Sequence, residues 1–264
     1  MIQQDFADKV TALLKNDDRV IGLAAAGSWI TNEIDIFSDL DLVLITKEKV
    51  AGQRQQMMDY AQSFGQLLSA FTGEHVGEPR LLICLYDNPL LHVDIKFLTL
   101  PEFHERVENP VLLLDKDQQL SGVIDSTTAV WPAPGYQWLE DRFWTWVHYI
   151  SGKIGRGEYF EALDGLGFIR ARVLSPLLQI KNGQQPRALR KVEQTLPRKD
   201  LDNLVGTMAD YDPSSIMDAL KHSVRLYRYL REQLFTADIV LQAATEKRSL
   251  EYLQEICAQL PAED

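Results

Sequence analysis

From the N-terminus to Asp115 the spacing of hydrophobic positions switches between the helical and the strand period. Residues Asp5 to Lys15 carry the helical pattern and predict an amphipathic helix. The apolar run Val20-Ile21-Gly22-Leu23-Ala24-Ala25-Ala26 predicts a buried strand that ends at Gly27-Ser28. Leu40-Asp41-Leu42-Val43-Leu44-Ile45 predicts a second strand, and Val50 to Phe71, rich in Gln, Met and Leu, a helix. Arg80 to Tyr86 and Leu91 to Leu98 are strands separated by the turn sequence Asp87-Asn88-Pro89. A short helix near Pro101–Val107 and a strand at Val111–Asp115 complete the region.

The pattern then changes. The Leu120–Gly135 stretch, with Ser-Thr-Thr and Pro-Ala-Pro-Gly, marks a domain boundary. Beyond it strand signals vanish, and helical periods cover about 136–151, 158–181, 187–196, 213–235 and 237–259. The expected fold class is therefore α+β: a mixed-sheet domain over residues 1–130 followed by a helical bundle over 131–264.

Strand alternation makes one segment chemically informative. Asp39 and Asp41 stand two apart and point the same way, while Leu40, Leu42 and Leu44 point into the core. Two adjacent carboxylates repel each other, and a divalent cation between them relieves that repulsion. All-oxygen ligation suits Mg²⁺. An isolated Asp-x-Asp is more often a solvated strand end, but here two further features accompany it. Gly27-Ser28 closes the preceding strand, where a glycine lets backbone N–H groups and the serine hydroxyl approach a phosphate. In Leu91-His92-Val93-Asp94-Ile95-Lys96-Phe97 the alternation puts His92, Asp94 and Lys96 on one face, with Asp94 as a third acid inside an otherwise apolar strand.

Ala26-Gly27-Ser28, ten further residues, Asp39-Leu40-Asp41-Leu42 and a later Asp94 together resemble the DNA polymerase beta-like nucleotidyltransferase superfamily. With a helical C-terminal half, the chain looks like the bacterial adenylyltransferases that act on aminoglycosides and lincosamides. The resemblance implies that Asp39 and Asp41 hold Mg²⁺ on ATP or another NTP, and that Gly27 and Ser28 hold its phosphates. It also implies that Asp94 either binds a second metal ion or takes the proton of an acceptor hydroxyl. Arg142-Phe143-Trp144-Thr145-Trp146-Val147, Lys153 and Arg170-Ala171-Arg172 are similar in character to the part of the bundle that covers the nucleotide, and Lys153 is the candidate phosphate contact. The implied partners are a nucleotide and a small-molecule acceptor. Two other readings stay open: transfer to a protein, as antitoxin-like relatives perform, and a non-catalytic nucleotide-binding regulator.

Composition and charge narrow the classes. The chain has 264 residues and a net charge of −11. Residues 1–130 hold 10 Lys/Arg against 20 Asp/Glu, a balance of −10, and residues 131–264 hold 17 against 18, a balance of −1. So acidic a protein lacks the basic footprint of a nucleic-acid binder, and no stable nucleic-acid partner is expected. No run is apolar enough to span a membrane and no signal sequence opens the chain, so a cytoplasmic location is expected. Cys84 and Cys257 lie in apolar stretches and read as free thiols rather than as zinc ligands. No Ser-His-Asp or Cys-His arrangement suggests a protein nucleophile; of the five histidines, His92 alone shares a face with a candidate acid.

Overall fold

A computed structural model describes residues 1–260 and divides the chain into two units, Met1–Trp131 and Pro132–Asp264. The first contains α1 (Ile2–Leu14), β1 (Val20–Ala25), β2 (Leu40–Thr46), α2 (Arg54–Phe64), β3 (Gln66–Gly73), β4 (Glu78–Asp87), β5 (Leu91–Thr99), α3 (Leu100–Phe103), β6 (Val111–Asp115) and α4 (Gln119–Ser126). The strands form one sheet in the order β3-β4-β5-β2-β1-β6. β2 and β5 run parallel, and the other neighbours are antiparallel.

Alternation builds both faces of this sheet. One face carries Leu40, Leu42 and Leu44 of β2, Val93, Ile95 and Phe97 of β5, and Leu82, Cys84 and Tyr86 of β4. These pack with Val10 and Leu14 of α1 and Met57, Tyr60 and Phe64 of α2. Along β2 and β5 the other face is apolar at one end, where Val43, Ile45 and Leu98 meet Phe103 of α3 and Leu120 and Val123 of α4. At its opposite end the same face carries Asp41, His92 and Asp94, none of them fully buried. The charged residues thus occupy the length of sheet that α3 and α4 do not cover.

Three expectations need correction in this unit. The helix expected to Phe71 stops at Phe64, and Gln66–Gly73 is a strand, β3. Phe64 is fully buried among the core side chains and Gly65 then takes an extended backbone, so pairing with β4 overrides the helix-favouring Gln, Leu and Ala of the segment. The stretch expected as a boundary contains the junction of the two units at Trp131/Pro132, but its first part is helical and belongs to α4, because Leu120 and Val123 complete the second face of the sheet. The expected short helix at 101–107 is the single turn α3, with a capping box in which Thr99 and Glu102 bond reciprocally.

The second unit contains α5 (Tyr136–Gly155), α6 (Tyr159–Ile169), α7 (Ser175–Lys181), α8 (Val192–Thr195), α9 (Arg198–Val205), α10 (Pro213–Leu234) and α11 (Ala243–Gln259). A π-helical turn, Arg170–Leu174, joins α6 to α7. The helix expected over 187–196 shrinks to α8, since Ala188 and Lys191 adopt left-handed backbone with φ of 52° and 55°. Pro197, read as a break, is where α9 starts: proline is tolerated at a helix N-terminus. Phe143, Trp144 and Tyr227 lie in the core, with Phe143 stacked on Tyr227 at 3.7 Å, whereas Trp138 is half exposed.

A buried carboxylate sits inside this unit. Glu140 of α5 is fully buried and accepts from Trp144 Nε1 (3.1 Å), Tyr227 Oη (2.8 Å), Arg231 Nη1 (3.2 Å) and the backbone N–H of Gln242 (3.0 Å). Arg231 also donates to Glu246 of α11 at 2.8 Å. The carboxylate therefore ties α5 to α10 and to the entry of α11. Removing one partner of a buried network leaves the others desolvated and unpaired. Glu140→Ala is expected to cost about 3 kcal/mol, and Tyr227→Phe about 1–2 kcal/mol, both read from urea unfolding of the full chain. Equal stabilities of the two variants would contradict this account.

Candidate active site

The acids come together through sheet register. Asp41 of β2 pairs directly with Asp94 of β5, flanked by Leu40 with Val93 and Leu42 with Ile95. Paired residues on adjacent strands present side chains to the same face, about 4.8 Å apart across the sheet. Asp39 lies just before β2, and its charge is felt at Asp94. The sequence could show that Asp39 and Asp41 share a face; only the parallel pairing of β2 with β5 brings Asp94 beside them.

Gly27 completes the group. β1 lies next to β2, and the Ala26 N–H donates to Asp41 O at 2.9 Å. Gly27 then turns with φ of +62° and opens a 3₁₀ turn, Gly27–Trp29. A Cβ placed on Gly27 would lie 2.0 Å from Asp41 Oδ2, so the carboxylate rests directly against the glycine Cα. Glycine is required twice here, for the left-handed backbone and for the space that Asp41 fills. The first N–H groups of such a turn, those of Gly27 and Ser28, have no acceptor within it.

Asp94 has a second partner. His92 Nε2 lies 2.9 Å from Asp94 Oδ1, with the imidazole about half exposed and the carboxylate mostly covered. Burial pushes the Asp94 carboxyl above its ordinary value; His92 pulls it down by charge and hydrogen bond, and the Asp39 carboxylate pushes it up again. The shared face of His92 and Asp94 was legible from alternation, but the bond between them was not. Beside this pair, Lys96 Nζ meets Glu78 Oε2 at 2.8 Å, and Arg80 Nε meets Glu78 Oε1 at 2.7 Å. The Arg80 guanidinium, aided by Lys96, holds the Glu78 carboxyl down to about 2.

The donor set of Asp39, Asp41 and Asp94 is hard, anionic oxygen, the chemistry of a Mg²⁺ site. The upward push on Asp94 from Asp39 is the repulsion that a cation between them would cancel. Among the described residues, however, no group of three or more His, Cys, Asp or Glu side chains is gathered closely enough to hold a metal ion. The three carboxylates are neighbours rather than a closed cage. Lys153 stands in the second unit near the end of α5, engaged by Glu158, 3.8 Å from Glu161, and 5.1 Å from the centre of the Tyr149 ring.

The family model of streptomycin adenylyltransferase matches residues 2–256. The chain belongs to this family. It is a nucleotidyltransferase with the α+β fold expected from its sequence. Among solved structures, the streptomycin adenylyltransferase family member resembles an aminoglycoside 6-adenyltransferase from Bacillus subtilis, with 16% identity, 97% of this chain and 98% of that chain covered, and a TM-score of 0.42. It also resembles a nucleotidyltransferase-like protein from Exiguobacterium sibiricum, with 12% identity, 99% of this chain and 81% of that chain covered, and a TM-score of 0.37. No curated protein matches the chain. Among the described residues, no helix is long and apolar enough to cross a membrane.

Two outcomes follow for this adenylyltransferase. Gly27→Ala is expected to displace the Asp41 carboxylate, which sits at the end of a short side chain and can rotate away. The backbone strain costs about 1–2 kcal/mol, so the variant should remain folded by circular dichroism yet lose nucleotidyl transfer; full activity would contradict the contact. Glu78 has a depressed carboxyl, so its stabilisation is present above its ordinary value of 4.5 and is lost as pH falls towards about 2. The stability difference between wild type and Glu78→Gln should therefore shrink over that window, as measured by denaturant unfolding at stepped pH.

Proposed function

We propose that this enzyme transfers AMP from Mg²⁺–ATP to a hydroxyl of a small, amine-bearing antibiotic such as streptomycin, releasing pyrophosphate. The observation that carries the reading is the in-register pair Asp41–Asp94 on parallel strands, with the Asp41 carboxylate resting on Gly27. Family membership supplies the reaction class. The acceptor is inferred from the family's description and from the excess of acid in residues 1–130.

In this reading Asp39 and Asp41 hold the metal on the triphosphate, and the N–H groups of Gly27 and Ser28 with the Ser28 hydroxyl bind its terminal phosphates. Mg²⁺ bound there supplies charge neutralisation to the triphosphate. Asp94, mostly covered, takes the proton of the acceptor hydroxyl, and His92 holds its carboxylate in place. The acceptor oxygen bonds to the α-phosphorus as the bond to the β-phosphate oxygen breaks.

Calorimetric titration of Mg²⁺–ATP into wild type and Asp41→Asn tests the reading. Binding should require Mg²⁺ and fall at least about tenfold in the variant, the weakening expected when one charged ligand is lost. Binding that ignores both the metal and the substitution would remove the acids from the site.

A further inference from the structure

The sheet register continues past the acids in both directions. Phe71 of β3 pairs with Ile83 of β4, Ile83 pairs with Asp94 of β5, and Asp94 pairs with Asp41 of β2. All four side chains therefore project from one face in a single row, and beyond Asp41 the row ends at Gly27. One end offers a glycine and turn N–H groups, the middle offers carboxylates, and the far end offers two apolar side chains. Phe71 is half exposed, so its ring is accessible to a molecule lying on this face. Leu85, paired with His92, widens the same apolar strip, and the ring of His75 lies 5.7 Å from that of Phe71.

The chemistry gives this row a direction. In an in-line displacement the attacking oxygen and the leaving group stand on opposite sides of the phosphorus. With the pyrophosphate over Gly27 and Ser28, the attacking hydroxyl approaches from the Asp94 side. The molecule that carries it then lies over β4 and β3, two strand spacings or about 10 Å of sheet. Resting on the reading of Asp39, Asp41 and Asp94 above, we propose that Phe71 and Ile83 form the platform on which the acceptor lies, and that Phe71 sets acceptor affinity by receiving an amine or the apolar face of a ring. An aromatic face attracts a nearby ammonium group, and the carboxylates alongside complement the same charge. The adenine of the nucleotide is the competing occupant, and it requires the opposite direction along the row.

The test measures steady-state transfer with Mg²⁺–ATP and streptomycin in wild type, Phe71→Ala and Phe71→Tyr, using the full chain. Phe71 lies on an edge strand and is half exposed, so its truncation leaves the buried core intact. Phe71→Ala should raise the KM for streptomycin about tenfold, the scale of one lost apolar contact, with the KM for Mg²⁺–ATP within about twofold; Phe71→Tyr should restore the wild-type value. A rise in the KM for Mg²⁺–ATP instead would put the nucleotide on this side and overturn the proposal, and unchanged constants for both substrates would do the same. A wild type that binds Mg²⁺–ATP but transfers to none of streptomycin, kanamycin and lincomycin would overturn the amine-bearing class. Failure of the underlying reading looks different: Mg²⁺–ATP binding indifferent to Asp41→Asn.

Discussion

The parallel pairing of β2 with β5 is the constraint on which the first unit depends. Leu40, Leu42 and Leu44 on one strand and Val93, Ile95 and Phe97 on the other are buried on the same face of the sheet. Each such side chain contributes about 1.5–3 kcal/mol when removed from water. Alternation then leaves Asp41 and Asp94 no choice of face. A slip of one residue in either strand would carry a carboxylate into the apolar core and an aliphatic side chain out of it. The hydrophobic effect thus holds Asp41 and Asp94 side by side on the face that the aliphatic side chains leave.

The same logic explains where the second face of the sheet is closed and where it is not. Phe103, Leu120 and Val123 cover Val43, Ile45 and Leu98, while Asp41, His92 and Asp94 occupy the other end of these strands. A helix laid over the carboxylates would have to desolvate them, a penalty that apolar contacts do not offset. The charged end of the face is left to the Gly27 turn, against which Asp41 packs, the imidazole of His92 and, on our reading, cation and substrate. Ile83 and Phe71 extend this face away from the glycine, which is why the row has a polar end and an apolar end.

The helical unit solves a different problem. Its core is broad and mostly aliphatic, and such cores allow helices to slide or rotate with little loss of burial. Glu140 restricts that freedom. Its carboxylate accepts four hydrogen bonds, from α5 itself, from Tyr227 and Arg231 of α10, and from the segment entering α11. A slide or rotation of any of the three helices would break one or more of them. The network is satisfied throughout: among the described residues, no buried side-chain nitrogen or oxygen lacks a hydrogen-bond partner.

Local sequence determined what depends on local periodicity. The strands around Asp41 and Asp94 were legible because alternation repeats every two residues, and most of α5, α10 and α11 because their apolar faces recur at helical spacing. The shared face of His92 and Asp94 followed from the same rule. What sequence could not reach were features decided by distant partners. β3 carries helix-favouring residues and is a strand only because β4 offers it an edge. α4 lies in a stretch whose serine, glycine and proline content reads as a boundary, and α9 lies outside the expected helical periods; they form because Leu120, Val123 and Leu204 find a core to enter. The opposition of Asp41 to Asp94, the rest of the Asp41 carboxylate on Gly27, and the row running out to Phe71 are matters of register. Register is set by burial summed over the whole sheet, and no window of neighbouring residues contains that sum.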